Sequence, residues 1–253
     1  MDKMTDQIVV ERRDGHAVVT MNKPNRRNAL GTESMAGLHA ALERLSESPE
    51  CRAIVLTGAA PAFCAGSDLK ELGGLSIPEM CAHEAETARV ARRIALLRVP
   101  VIAAVEGYAL GGGFIIATSC DLVISARSVR WNMPEVRNGW FPPWGMQTLI
   151  ARVGPVRAQL IALGITAIDG VEAHRLGIAD GLADDGGALD MACDWATRIA
   201  ALPAGAVHST KRFFSAAIAA DAERQDAEAS RIFGADCEKP EAQATLAKFT
   251  VKT

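Results

Sequence analysis

Two glycine-containing segments constrain this chain more than any other feature: Ala62-Phe63-Cys64-Ala65-Gly66-Ser67-Asp68-Leu69-Lys70 and Gly107-Tyr108-Ala109-Leu110-Gly111-Gly112-Gly113. Each follows an apolar run of strand character, over residues 53–57 before the first and 99–105 before the second. A strand that ends on such a turn leaves backbone N–H groups without a ladder partner, and the glycines let a ligand come close to them. Two such donors converging on one oxygen stabilise an enolate-like anion, which is acyl-thioester chemistry. The fold must then bring two turns that are distant in sequence to one point.

The segments around them read as an alternation of strands and helices. Residues 8–22 alternate about Asp14-Gly15, which predicts a hairpin. Residues 24–28 form a loop, and a helix is expected from Thr32, with Glu33 in its first turn and Met35, Leu38, Leu42 and Leu45 on one face. Residues 53–57 form a short buried strand, and 77–97 carry helical periodicity rich in Ala and Arg. A buried strand over 99–105 has Pro100 at its start, where a missing N–H costs least. A helix over 114–119 and a strand over 121–126 follow; from about residue 143 the chain reads as almost wholly helical. Strands alternating with helices predict an α/β fold with a mostly parallel sheet.

With 253 residues, 49% of them apolar, the chain can bury one large core with a small appendage. A net charge of −3 without a basic stripe argues against nucleic acid as a partner. Six cysteines without C-x-x-C spacing read as reduced core residues of a cytoplasmic protein. The polar N-terminus is unlike a targeting peptide, and no apolar run is long enough to span a membrane. The histidines His16, His39, His174 and His208 show no ligand spacing, so no metal is expected.

Taken in order, several segments resemble the crotonase (enoyl-CoA hydratase/isomerase) superfamily. Residues 24–30 resemble its early CoA-contact loop, 62–70 and 107–113 its two oxyanion loops, and Pro134-Glu135 its catalytic acid/base. Arg152-Val153-Gly154 and the run Ala173 through Asp180 match later landmarks. The resemblance covers essentially the whole chain. It implies a spiral of ββα units over residues 1–195, holding the oxyanion hole and acyl-CoA site, and a helical trimerisation region over 196–253. A homotrimer or a dimer of trimers follows from the same resemblance.

Residue by residue, the resemblance puts the oxyanion N–H donors on Ser67 and Gly112 and makes Glu135 the proton-transferring carboxyl. It brings Arg26, Arg27, Lys70 and the backbone at Ala65 and Asp68 to CoA, with Phe249 and Lys252 reaching CoA in a neighbouring subunit. Leu69, Leu72, Trp140, Phe141 and Trp144 line the acyl pocket. Coenzyme A is part of the substrate, and no separate cofactor is implied. A serine at position 67 with His83 as base would make a nucleophile, yet no Gly-x-Ser-x-Gly elbow surrounds it.

One departure decides between reactions. Hydratases of the superfamily carry a first glutamate shortly after the triple glycine, where this chain has Ile115. Hydration needs one group to activate water and another to protonate carbon. A single Glu135 instead suits the 3,2-enoyl-CoA isomerases, which move one proton from C2 to C4; the run Gly139-Trp140-Phe141-Pro142-Pro143-Trp144 resembles theirs. Two alternatives stay open. A hydratase would need an unconventional second acid, for which Glu79, Glu84 and Glu86 on the 77–97 helix are the candidates. A non-catalytic acyl-CoA-binding trimeric scaffold would need none.

Overall fold

The computed structural model describes residues 2–249. Strands β1 (Asp2–Thr5), β2 (Ile8–Arg12) and β3 (His16–Met21) form an antiparallel meander, and the expected turn falls at Asp14-Gly15. A 3₁₀ turn at Pro24–Arg26 leads into α1 (Thr32–Glu47), whose Met35, Leu38, Leu42 and Leu45 are all buried. Strand β4 (Ala53–Gly58) pairs parallel with β3, because the intervening helix reverses the chain direction. Short α2 (Leu69–Leu72) and long α3 (Ile77–Leu96) then cross to β5 (Val101–Val105), parallel to β4.

Strand β6 (Tyr108–Leu110) runs straight into α4 (Gly112–Ser119), followed by β7 (Leu122–Ala126), β8 (Arg130–Asn132) and the single turn α5 (Glu135–Asn138). Helix α4 begins two residues before the sequence periodicity indicates; first-turn N–H groups need no intrahelical partner, so glycines are tolerated there. Helices α6 (Met146–Val153), α7 (Pro155–Ala162) and α8 (Gly170–Leu176) precede β9 (Gly181–Ala183). That strand corrects the expectation of an almost wholly helical last third: three residues are too few to show a period of two. The chain closes with α9 (Ala188–Ala200), α10 (Ala204–Ala219), α11 (Ala222–Cys237) and α12 (Pro240–Leu246).

The main sheet has the order β1-β2-β3-β4-β5-β7-β9 and is parallel from β3 onward. Its central strands are buried on both faces, as their continuous apolar runs require. A second, smaller ladder pairs β6 with β8, and single bridges join Cys64 to Ala109 and Trp131 to Ile168. The Cys64–Ala109 bridge positions the site, because it stitches the two glycine turns side by side. Residue 195 lies inside α9, which packs on β4 and β5, so the chain leaves the sheet layer only at Leu202-Pro203. Of the helices beyond, α11 lies along α3 and α12 meets α5.

Candidate active site

Backbone bonds alone bring the two glycine turns together. Cys64 N–H donates to the Tyr108 carbonyl at 3.0 Å, and Leu110 N–H donates back to Cys64 O at 3.0 Å. Gly66 has φ 87°, and a Cβ there would lie 2.8 Å from Leu110 O, so only glycine permits this approach. Asn28, itself buried, fixes the first loop from behind, donating to Ala62 O at 2.6 Å and Ala59 O at 2.8 Å. Leu30 N–H takes Gly66 O, and Asp68 N–H takes Leu30 O, leaving the Ser67 N–H between them. Gly112 is the first residue of α4, where an N–H has no partner within the helix. Neither Ser67 N–H nor Gly112 N–H has a backbone acceptor among the described residues, and both residues line one small cavity of about 70 Å³.

Glu135 faces them across that cavity. It opens α5, is 8% exposed, and leans on the cap of α4: a Cβ on Gly111 would sit 2.5 Å from its Oε1. Its Oε2 has no hydrogen-bond partner among the described residues. Burial pushes its carboxyl up to about 8, with Glu84 adding to the rise. Arg137, the neighbour that could have neutralised it, turns away to donate to Gly164 O at 2.8 Å. Ile115, fully buried, supplies apolar wall.

A second carboxyl shares the cavity. Glu84 on α3 is 2% exposed, and its Oε2 accepts from Trp144 Nε1 at 2.6 Å. The other candidates on that helix do not enter: Glu79 closes the helix N-terminus by accepting from Ser76 N–H at 2.8 Å, and Glu86 pairs with Arg89 in solvent. The sequence carried a signal for Glu84. Met80, Glu84, Thr87, Ala91 and Ile94 recur at four, three, four and three residues, so the carboxyl lies on the buried stripe of α3. His83 faces Glu84 and Glu71 at 3.9 and 3.8 Å, its proton affinity raised chiefly by Glu84, and makes no hydrogen bond to Ser67 among the described residues. A Ser67–His83 nucleophile is therefore not formed.

The aromatic loop divides. Trp140 and Trp144 line the cavity with Leu69 and Leu72, and Trp140 stacks edge-on against Phe233 of α11 at 6.2 Å. Phe141 does not: it faces a separate groove with Val136, Met146 and Ile150, because neighbours in an extended loop point to opposite sides. Two aspartates of α11 hold this loop. Asp236 accepts from Phe141 N–H at 2.9 Å, and Asp226, paired with Arg92, accepts from Gly145 N–H at 2.7 Å. Sequence reading missed both, since nothing local marks an acidic residue on an amphipathic helix as an anchor.

The residues expected at CoA have mixed fates. Asp68 is buried; its N–H is used by Leu30, and its carboxylate holds Lys23 and Arg26. Burial would raise that carboxyl, but the two cations outweigh it and hold it below the usual range. Asp68 is thus an internal brace, and Arg26 is tied to it. Ala65 N–H is likewise occupied, by Arg27 O, and the residue lines the cavity. Arg27 lies over the Tyr108 ring at 5.5 Å, and the exposed Lys70 has no ion-pair partner among the described residues. Phe249 packs its backbone against Gly73 of its own chain; Lys252 lies outside the described residues.

The chain is similar to known proteins over most of its length. The sequence model of the enoyl-CoA hydratase/isomerase family matches residues 11–253. A probable enoyl-CoA hydratase of Mycobacterium bovis is 34% identical over 207 residues, covering 81% of this chain and 80% of that protein. Among solved structures, an enoyl-CoA hydratase/isomerase from Mycobacterium paratuberculosis superposes with TM-score 0.86 at 29% identity, covering 98% of this chain and 100% of the other. A monofunctional enoyl-CoA isomerase from M. smegmatis gives TM-score 0.72 at 27% identity over 85% of this chain and 94% of the other.

Proposed function

The chain belongs to the enoyl-CoA hydratase/isomerase family, and on that premise we propose that it converts 3-enoyl-CoA to 2-enoyl-CoA through a dienolate. One observation carries this reading: Glu135, desolvated and unpaired, leans on the turn that presents Gly112 N–H, while the apolar Ile115 stands where superfamily hydratases carry their other acid. The thioester oxygen accepts from Ser67 and Gly112 N–H, so the charge developing on C1–O meets two fixed dipoles. Glu135 removes a proton from C2, and protonation of the dienolate at C4 completes the shift of the double bond. Trp140, Trp144 and Ile115 keep bulk water from the dienolate.

Arg27 and Lys70, both exposed, are the cations left to meet CoA phosphates, with Arg26 as a tethered third. The helices beyond residue 203 serve as the trimerisation region; Phe213 and Phe214 on α10 are 76% and 66% exposed, which supports a partner on that face. A second reading, hydration of 2-enoyl-CoA, is favoured by one observation: Glu84 places another buried carboxyl in the cavity. An NMR time course of a short 3-enoyl-CoA in D₂O separates the two. Isomerisation gives 2-enoyl-CoA from that substrate; unchanged 3-enoyl-CoA beside hydration of 2-enoyl-CoA supplied directly, or no reaction with either, would contradict the proposal.

A further inference from the structure

We propose that Glu84 is a second catalytic carboxyl of this cavity, delivering at the far end of the reacting carbons the proton that Glu135 does not carry back. The inference rests on the reading that the protein forms a thioester enolate. Burying a carboxyl against apolar and aromatic walls is costly unless it is held and used. Among the described residues Trp144 Nε1 donates to Glu84 Oε2, while Oε1 lies 3.9 Å from His83 Nδ1. The indole that grips Glu84 also touches the oxyanion loop, since a Cβ on Gly112 would lie 3.0 Å from Trp144 Cζ2. Glu84 and the second oxyanion donor therefore meet the same edge of one indole, at Nε1 and at the nearby Cζ2. Glu135, by contrast, leans directly on Gly111. An acyl chain entering past Gly112 has Glu135 beside the carbon next to the thioester and Glu84 further along.

The pair also solves a proton problem. A transfer across the dienolate needs one base and one acid, and the cavity holds two carboxyls to fill those roles. In the step itself the C2–H bond breaks and its proton goes to the Glu135 carboxylate, while its electron pair forms the dienolate. The dienolate then takes a proton from the Glu84 carboxyl at C4, as C2=C3 forms and the thioester carbonyl returns. The site resets through solvent: Glu135 releases its proton to water once the product leaves, and Glu84 takes up another. Glu84 has a route to solvent: His83 stands between it and Glu71, whose side chain is 36% exposed. The remaining charged groups nearby are already paired, Asp68 with Lys23 and Arg26, and Asp226 with Arg92.

The test follows two reactions in D₂O: exchange at C2 of butyryl-CoA, which reports enolate formation alone, and isomerisation of 3-pentenoyl-CoA with the label read at C4. Glu84→Gln should keep C2 exchange within about threefold and lose about 10²–10⁴ in isomerisation, the span a positioned acid contributes. Glu84→Asp should recover part of that loss. The parental protein should place deuterium at C4 from the first turnover. Isomerisation by Glu84→Gln at the parental rate would overturn the inference, as would protium carried from C2 to C4 by the parental protein, or equal loss of both reactions in both variants. A parental protein that exchanges C2 and leaves 3-pentenoyl-CoA unchanged but hydrates 2-pentenoyl-CoA, in a manner abolished by Glu84→Gln, would sink the isomerase reading and leave Glu84 catalytic. Absence of C2 exchange in the parental protein would remove both.

Discussion

The oxyanion cradle and the carboxyl wall face each other across one cavity, yet they are built in different ways. The cradle is backbone: two turns hydrogen-bonded at Cys64, Tyr108 and Leu110, with glycine wherever a Cβ would part them. The wall is side chain: Glu135 from α5, Glu84 from α3 and Trp144 from a loop pinned by Asp226 and Asp236 of α11. The cradle is fixed by local geometry and presents its dipoles without reorganisation. The wall depends on distant elements docking correctly, so its chemistry can change by a single side chain while the cradle stays the same.

The largest effect expected is on the wall. Glu135→Gln should lower turnover by about 10²–10⁴ while leaving acyl-CoA affinity close to parental, because the amide keeps shape and loses the proton. Steady-state kinetics with a binding titration checks it, and parental turnover would remove Glu135 from the account. Next comes the cradle. Gly66→Ala forces a strained φ of 87° and a 2.8 Å approach to Leu110 O, displacing the Ser67 donor; a loss of about 10²–10³ in kcat is expected. If kcat holds, the Ser67 N–H is not an oxyanion donor.

Much of the cradle was legible in the sequence, and much of the wall was not. Gly66, Ser67 and the triple glycine announce their turn because local backbone demands select glycine. Strand and helix order over residues 8–126 followed from periodicity, except for α2 and β6, which are too short to show one. Glu135 was found through its place in the family pattern, but its burial depends on α11 and α12 covering it. Glu84 was one of three candidates until the stripe on α3 separated it from Glu79 and Glu86. Phe141 could not be told from Trp140 and Trp144, since an aromatic run in a loop carries no facing information. Asp68 looked like a ligand contact and is a brace for Lys23 and Arg26.

Two smaller effects sharpen the contrast. Trp144→Phe keeps the ring but strips Glu84 of its donor; an unsatisfied buried acceptor should cost about 1–3 kcal/mol, read from urea unfolding. Unchanged stability would mean the indole N–H does not hold Glu84. The pH dependence of stability is the finest probe. Glu135 is pushed from 4.5 up to about 8 in the folded chain, so the native state holds more protons than the unfolded state between those values. That contribution is therefore full below the lower value and declines as pH rises through the upper one. Melting temperature should fall across this window in the parental protein and fall less in Glu135→Gln; identical slopes would place Glu135 in water.

The most direct test of the central claim, that Ser67, Gly112 and Glu135 together make a thioester enolate, is hydrogen–deuterium exchange at C2 of a saturated acyl-CoA, followed by NMR in D₂O. Such a substrate can neither isomerise nor hydrate, so exchange reports the cradle and its base alone. The account predicts steady C2 exchange by the parental protein and its loss in Glu135→Gln. Exchange that survives the substitution unchanged, or a parental protein that tightly binds the thioester without exchanging it, would contradict it.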